Sequence, residues 1–273
     1  MDYRNLLCDI LGMSQHLPIA PLSYDLLSRL IDAADGCERS FSFAGGEVED
    51  RVLFFLDHSA PAAAILREAA VSLGLPETLL EAWEKARPGA DAIGLALRLD
   101  GSSVRLYTQY WEVLAARLRQ GDPAEMPLYA GFKALPDGSN RIDRYIAQPM
   151  APREAFMPPL RAALRGLGID PMALEQALRP LNAETCIFTR TEAPDRSSWL
   201  ATLRRAPLDP GAVAAMLAPL GTEPRLPALA ACARGAPLIH VAGGEDAVKG
   251  PFTTLYFEIT PEEARAALTP LAG

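Results

Sequence analysis

The chain has no apolar run near the roughly 18 residues of a membrane-spanning helix, which argues against integral membrane segments. Cysteine is scarce: Cys8, Cys37, Cys186 and Cys232 are the only four, with no CxxC spacing. That pattern excludes a zinc ribbon and a disulfide framework and fits reduced thiols in a cytoplasmic protein. Histidine is scarcer still, and His16, His58 and His240 lack metal-ligand spacing. No Walker or GxGxxG pattern follows a parallel strand; Gly243-Gly244 resembles a phosphate loop only superficially. No Ser-His-Asp order stands out. Positive charge is also in deficit. A net charge of −8 disfavours nucleic acid and anionic membrane as partners. Asp2, Arg4 and Asp9 near the N-terminus do not suit a signal peptide. No linker or low-complexity segment interrupts the chain, and 273 residues with 49% hydrophobic content suit one domain over 1–273.

What the sequence does have is a strand-pair pattern that occurs five times. The pairs are Glu38 to Phe43 with Arg51 to Asp57, Ile93 to Leu99 with Val104 to Trp111, and Leu128 to Leu135 with Arg141 to Gln148. Thr185 to Thr191 with Trp199 to Arg204, and Leu238 to Ala242 with Phe252 to Ile259, complete the set. Turns rich in Gly, Asp and Pro join the runs, and Gly accepts the positive φ of hairpin turns. Helical patterns separate the pairs: Leu6 to Met13, Tyr24 to Ala34, Ala62 to Leu73, Pro76 to Ala86, Trp111 to Arg119, Pro152 to Leu167, Pro171 to Leu178, Pro210 to Leu220 and Leu226 to Ala233. Thr260-Pro261-Glu262-Glu263 opens a last helix with a capping box. The order predicts an α+β fold: a closed ten-stranded antiparallel β-barrel inside a ring of helices.

Alternation sorts the strand residues by face. Val52, Phe54 and Leu56 oppose Arg51, Leu53, Phe55 and Asp57; Val104, Leu106 and Thr108 oppose Arg105, Tyr107, Gln109 and Trp111. If the apolar faces meet the helices, the polar faces line the barrel, and ten strands enclose a cavity. That cavity would hold Arg51, Arg98, Arg105, Lys133, Arg141 and Arg190, a set suited to a multiply charged anion. Tyr107, Tyr145, Tyr256 and Tyr129 would sit among them and could flank a cation. An open sheet with a solvated polar face would leave the same side chains merely snorkelling.

The segments Arg51-Val-Leu-Phe-Phe-Leu-Asp57, Ser102-Ser-Val-Arg-Leu-Tyr107, Cys186-Ile-Phe-Thr189 and Thr254-Leu-Tyr-Phe257 resemble strand motifs of the cyanobactin peptide prenyltransferases. The resemblance runs from about Gly36 to Ile259 and is loose outside the strands. It implies the ABBA fold, five ααββ-like units closed into a ten-stranded barrel. It implies transfer of an isoprenyl group from its diphosphate to a side chain of a peptide, often macrocyclic, by a monomer. Glu38 would then orient or deprotonate the acceptor. Arg51, Arg105 and Tyr107 would bind diphosphate and shield the allyl cation, with Tyr145 and Tyr256. Phe188 would match a donor-pocket gate whose bulk goes with a five-carbon donor, dimethylallyl diphosphate. The chain has no DDxxD-type cluster, so Mg²⁺ would ride on the diphosphate rather than on protein ligands. Gln109 stands where a basic residue is common, and the chain is short around its third unit.

Asp57, Asp143, Glu192 and Glu258 would give the barrel an acidic, acceptor-side wall. That wall suits a cationic acceptor such as a guanidinium, with Tyr or Trp equally open. Two rivals stand beside this reading: an ABBA enzyme acting on a small aromatic metabolite, and a non-catalytic barrel that binds an anionic or hydrophobic ligand.

Overall fold

The computed structural model describes residues 23–135, 138–178, 184–193, 195–204, 208–222 and 226–271. The predicted helix from Leu6 to Met13 lies outside them. Ten strands pair in the order β1-β10-β9-β8-β7-β6-β5-β4-β3-β2, all antiparallel, and close into a barrel. They are β1 Gly36–Ala44, β2 Glu47–Asp57, β3 Ala92–Arg98, β4 Val104–Gln109, β5 Met126–Ala134, β6 Asn140–Pro152, β7 Thr185–Glu192, β8 Arg196–Thr202, β9 Leu238–Asp246 and β10 Gly250–Ile259. Since β1 pairs with both β2 and β10, no sheet edge is left and the open-sheet alternative falls.

Nine α-helices are present among the described residues: α1 Tyr24–Asp32, α2 Ala60–Ser72, α3 Glu77–Ala86, α4 Trp111–Gln120, α5 Arg153–Gly166, α6 Pro171–Leu178, α7 Pro210–Leu217, α8 Pro227–Gly235 and α9 Pro261–Leu268. Local chemistry starts them where the sequence implied. Ser23, Ser59 and Asp209 accept backbone N–H groups as N-caps, and Thr260 with Glu263 forms the expected capping box. Only α4 stands between β4 and β5, so the third unit is short of one helix, as the sequence suggested.

The apolar strand faces meet this layer. Val52, Phe54, Leu56, Ile93, Leu95, Leu97, Leu255 and Phe257 share one core with Leu30, Leu66, Leu80, Trp83, Phe156 and Leu160 of the helices. Trp83 also donates its indole N–H to the Tyr107 carbonyl at 3.0 Å, which pins α3 to β4. Outward apolar packing turns the opposite, polar face of each strand into the barrel.

Three boundaries differ from the sequence reading. The first hairpin turn is only Gly45-Gly46, with φ of 57° and 81°, so β2 begins at Glu47 and carries Glu49 into the barrel. Gly243-Gly244 is strand rather than turn: it lies within β9, opposite Trp199 and Ser198. A Cβ at Gly243 would stand 2.8 Å from the Trp199 ring, so glycine makes room for that indole. Trp111 opens α4 instead of ending β4, because Asp91 Oδ1 accepts its N–H at 2.9 Å and caps the helix.

Candidate active site

A cavity of about 380 Å³ runs down the barrel from the end where strands pass into helices. Its deeper wall carries Arg51, Arg105, Arg196, Tyr107, Tyr145 and Tyr256. Below it, toward the hairpin turns, cations face one another across neighbouring strands: Arg51 opposite Arg98, Arg105 opposite Lys133, and Lys133 opposite Arg141. Like charges directly opposite repel, so most of this set is compensated. Glu49, buried, takes Arg51 at 2.6 Å, Arg98 at 3.1 Å and Lys249 in close contact. Burial would raise the Glu49 carboxyl, but the Arg51 charge, Lys249 and Arg98 hold it far below its usual range. Arg141 lies 2.8 Å from Asp143, 3.2 Å from Asp195 and 3.5 Å from Asp246, and Asp246 also lies 3.5 Å from Arg196.

Two cations have no such partner. Among the described residues no carboxylate lies within ion-pairing distance of Arg105 or Lys133, although both are buried. Arg105 donates to the Tyr107 hydroxyl at 3.2 Å. Burial, then the charges of Arg105 and Arg196, push the Lys133 amine well below its usual range. A multiply charged anion between these groups would relieve their repulsion.

Higher in the cavity stands Glu38, 5% exposed. Arg204 donates to its Oε1 at 2.9 Å, and His240 Nε2 lies 3.7 Å from the same oxygen. His240 is oriented by Thr202 Oγ1, 3.1 Å from Nδ1, and its ring stands edge-on to Tyr256 at 5.8 Å. Burial alone would raise the Glu38 carboxyl; His240 and Arg204 outweigh it and hold the group below its ordinary value. Glu38 is therefore a carboxylate held in its charged form beside an aromatic wall. Trp111, Tyr129 and Tyr145 continue that wall edge to face, with centroids 5.7 Å and 6.1 Å apart. Burial raises the phenols of Tyr129, Tyr145 and Tyr256, which keeps them neutral.

The sequence-selected residues divide as follows. Glu38, Arg51, Arg105, Tyr107, Tyr145, Tyr256 and Asp57 line the cavity. Arg98, Lys133 and Arg141 form the charged layer beneath it. Asp143 belongs to that layer, paired with Arg141 and 3.4 Å from the Tyr145 hydroxyl, and is not among the residues that line the cavity. Arg190 and Phe188 point out of the barrel. Thr189 and Thr191 take the inward positions of β7, so their neighbours must face the helices or solvent. Arg190 is exposed and bound to Glu125 and Glu192, which removes Glu192 from the interior as well. Phe188 stacks on Trp199 at 5.9 Å and is not among the residues that line the cavity. Gln109 accepts the Trp111 indole N–H at 2.7 Å and is spent on positioning that ring.

Sequence reasoning missed Glu49, Arg196, Arg204, His240 and Lys249. Glu49 and Arg196 fell in segments read as turns. His240, a lone histidine without metal-ligand spacing, reads as structural in the sequence, whereas alternation with Ala242 on β9 puts it inside. The thiols of Cys37, Cys186 and Cys232 are free and buried, pushed up by burial to about 11, 12 and 11. Among the described residues no group of three His, Cys, Asp or Glu is placed to hold a metal ion, and no helix is long and apolar enough to cross a membrane.

No protein-family model matches the chain, and no curated protein matches it in sequence. Solved structures do share its fold. A 6-dimethylallyltryptophan synthase from Micromonospora olivasterospora, in complex with DMASPP and Trp, is similar with a TM-score of 0.52 at 17% identity, over 96% of this chain and 95% of that one. PriB, in a ternary complex with L-tryptophan and dimethylallyl thiolodiphosphate, is similar with a TM-score of 0.51 at 15% identity, over 96% and 90%. A 5-dimethylallyltryptophan synthase from Streptomyces coelicolor is similar with a TM-score of 0.50 at 17% identity, over 96% and 91%. The closed ten-stranded barrel of this chain is thus the barrel that these prenyltransferase structures have.

Proposed function

We propose that this protein transfers a dimethylallyl group from its diphosphate to a side chain of a peptide, cyclic in the form that the strand motifs imply. The observation that carries the reading is the buried pair Arg105 and Lys133, which no carboxylate among the described residues approaches within ion-pairing distance, beneath Tyr107, Tyr145 and Tyr256. Such a floor suits a diphosphate, and rings above it suit an allylic cation. In the reaction the allylic C–O bond breaks and its electron pair leaves with the diphosphate, stabilised by Arg51, Arg105 and Lys133. The acceptor's electron pair forms the new bond to carbon, and its proton passes to Glu38. The aromatic wall keeps water from quenching the cation.

Mg²⁺, on this reading, arrives on the donor's oxygens. Glu49, Asp143 and Asp246 are already engaged by Arg and Lys, so they do not form a Mg²⁺ site, and no step requires one. The five-carbon donor draws support from the dimethylallyl ligands of the similar structures, not from Phe188. Those structures also favour a second reading, a small aromatic acceptor such as tryptophan.

The test is mass spectrometry of linear peptides, cyclic peptides and tryptophan, each incubated with the protein, Mg²⁺ and dimethylallyl or geranyl diphosphate. Gain of one C5 unit on a defined peptide residue is expected. Adducts on tryptophan alone would select the second reading. A bound donor that alkylates nothing would leave a non-catalytic barrel.

A further inference from the structure

The basic layer beneath the cavity has a member that can give up its charge. Guanidinium groups do not lose their proton in proteins, so the arginines of the layer are fixed cations. Lys133 differs from them. It is buried, and its register partners on both neighbouring strands are cations, Arg105 on β4 and Arg141 on β6. The charged groups that face its amine are those two, Arg196 from β8 and Asp143 from β6. Asp143 is held by Arg141 at 2.8 Å, and no carboxylate among the described residues comes within ion-pairing distance of Lys133. The Tyr145 phenol, pushed up by burial, is neutral and supplies no counter-charge. Lys249, the other lysine of the layer, has Glu49 in close contact. An ammonium at Lys133 would face three guanidinium groups in a buried site. Loss of its proton removes that repulsion, and a multiply charged anion reverses the balance. Burial and the charges of Arg105 and Arg196 hold the amine well below its ordinary range, in the same sense.

Resting on the prenyl-transfer reading, we propose that Lys133 is a free amine in the empty protein and becomes an ammonium when the donor's diphosphate arrives, so that donor binding takes up a proton. The proton comes from solvent. As the allylic C–O bond breaks, its electron pair leaves on the departing oxygen, and the N–H bonds of Lys133 meet the charge that develops there. When diphosphate departs, the amine returns its proton to water. The barrel thus gains this cation only together with the ligand that needs it.

The composition makes a direct test possible, since the lysines of the chain are only Lys85, Lys133 and Lys249. Isotope labelling at lysine Cε, read by NMR, reports each amine separately. Lys133→Met removes one signal and so assigns it; if that variant does not fold, Lys85→Arg and Lys249→Arg assign it by elimination. At about pH 7.5, where an ordinary lysine is fully protonated, the Lys133 signal should stand at the free-amine position in the empty protein. Saturation with inorganic diphosphate should move it to the ammonium position. Calorimetric titration of diphosphate in buffers of different ionisation enthalpy should show the wild type taking up about one proton more than Lys133→Arg. An ammonium signal in the empty protein would overturn the proposal and leave prenyl transfer standing. A free amine that persists with diphosphate bound would overturn it too, and would place the anion away from Lys133. No binding of diphosphate or of dimethylallyl thiolodiphosphate would overturn the prenyl-transfer reading and this inference with it.

Discussion

Two carboxylates show how differently the same residue type works in this barrel. Glu38 faces the aromatic wall with its carboxyl held below its ordinary value, and in the proposed reaction it takes the acceptor's proton. Glu38→Gln should lower turnover by roughly 10²–10⁴-fold, the span of general-base contributions, while a non-reactive donor thiolodiphosphate still binds; unchanged turnover would remove it from the chemistry. Glu49 instead neutralises Arg51, Arg98 and Lys249. Its folded carboxyl lies far below the ordinary 4.5, so its stabilisation is complete above about 4.5 and is lost as pH falls through the folded value. Glu49→Gln should therefore cost about 3–5 kcal/mol at pH 7, as for removal of one partner of a buried ion cluster. Thermal melts of wild type and variant should converge as the pH drops toward 3, and parallel curves would contradict the assignment. Glu38 was reached through the resemblance of the strand motifs and not through alternation. Glu49 was not reached at all, because a Gly-Gly turn can be two residues long or four, and only pairing with β1 settles which.

At the level of the element, alternation did most of the work and one strand shows its limit. The faces of β2, β4 and β10 follow directly from apolar residues at every second position. In β7 the run Cys186-Ile187-Phe188-Thr189-Arg190 is apolar on both parities, so pattern alone could not orient it. Pairing does, since Thr189 and Thr191 lie opposite the inward Ala147 and Tyr145. Phe188→Ala should consequently cost about 2 kcal/mol of stability through lost packing on Trp199, with no change in the ratio of C5 to C10 transfer. A switch toward the C10 donor would restore Phe188 as a gate. The glycines of β9 make the complementary point. Gly244 has φ of 149°, and a Cβ there would stand 2.2 Å from the Ser197 carbonyl oxygen. Gly244→Ala should cost at least about 1–3 kcal/mol in chemical denaturation. Gly46→Asn, in an open turn that tolerates left-handed Asn, should be nearly neutral. A Gly-Gly pair therefore reads as a turn or as a close approach between strands, and the sequence held no cue to choose.

The molecule has a net charge of −8 yet holds a layer of cations inside the barrel, beneath a cavity whose mouth carries Asp35, Asp57 and Glu258. Of its three lysines, Lys133 and Lys249 both belong to that layer. Arg105, Lys133 and Arg141 meet across three adjacent strands, and among the described residues only Arg141 has carboxylates within ion-pairing distance. Unrelieved repulsion in a buried layer destabilises the empty protein, and an anion that binds there stabilises the folded state alone. Inorganic diphosphate at 100 times its dissociation constant should add about 2.7 kcal/mol by mass action. For a chain of this size that is a rise in Tm of roughly 5–10 °C. Lys133→Met should raise the Tm of the ligand-free protein, because it replaces a buried amine, whose charged form burial and the Arg105 and Arg196 charges disfavour, by an apolar side chain of similar length, and it should abolish most of the diphosphate shift. A variant that melts lower and still responds fully to diphosphate would show that Lys133 is a compensated structural cation, and would move the donor's diphosphate away from this layer.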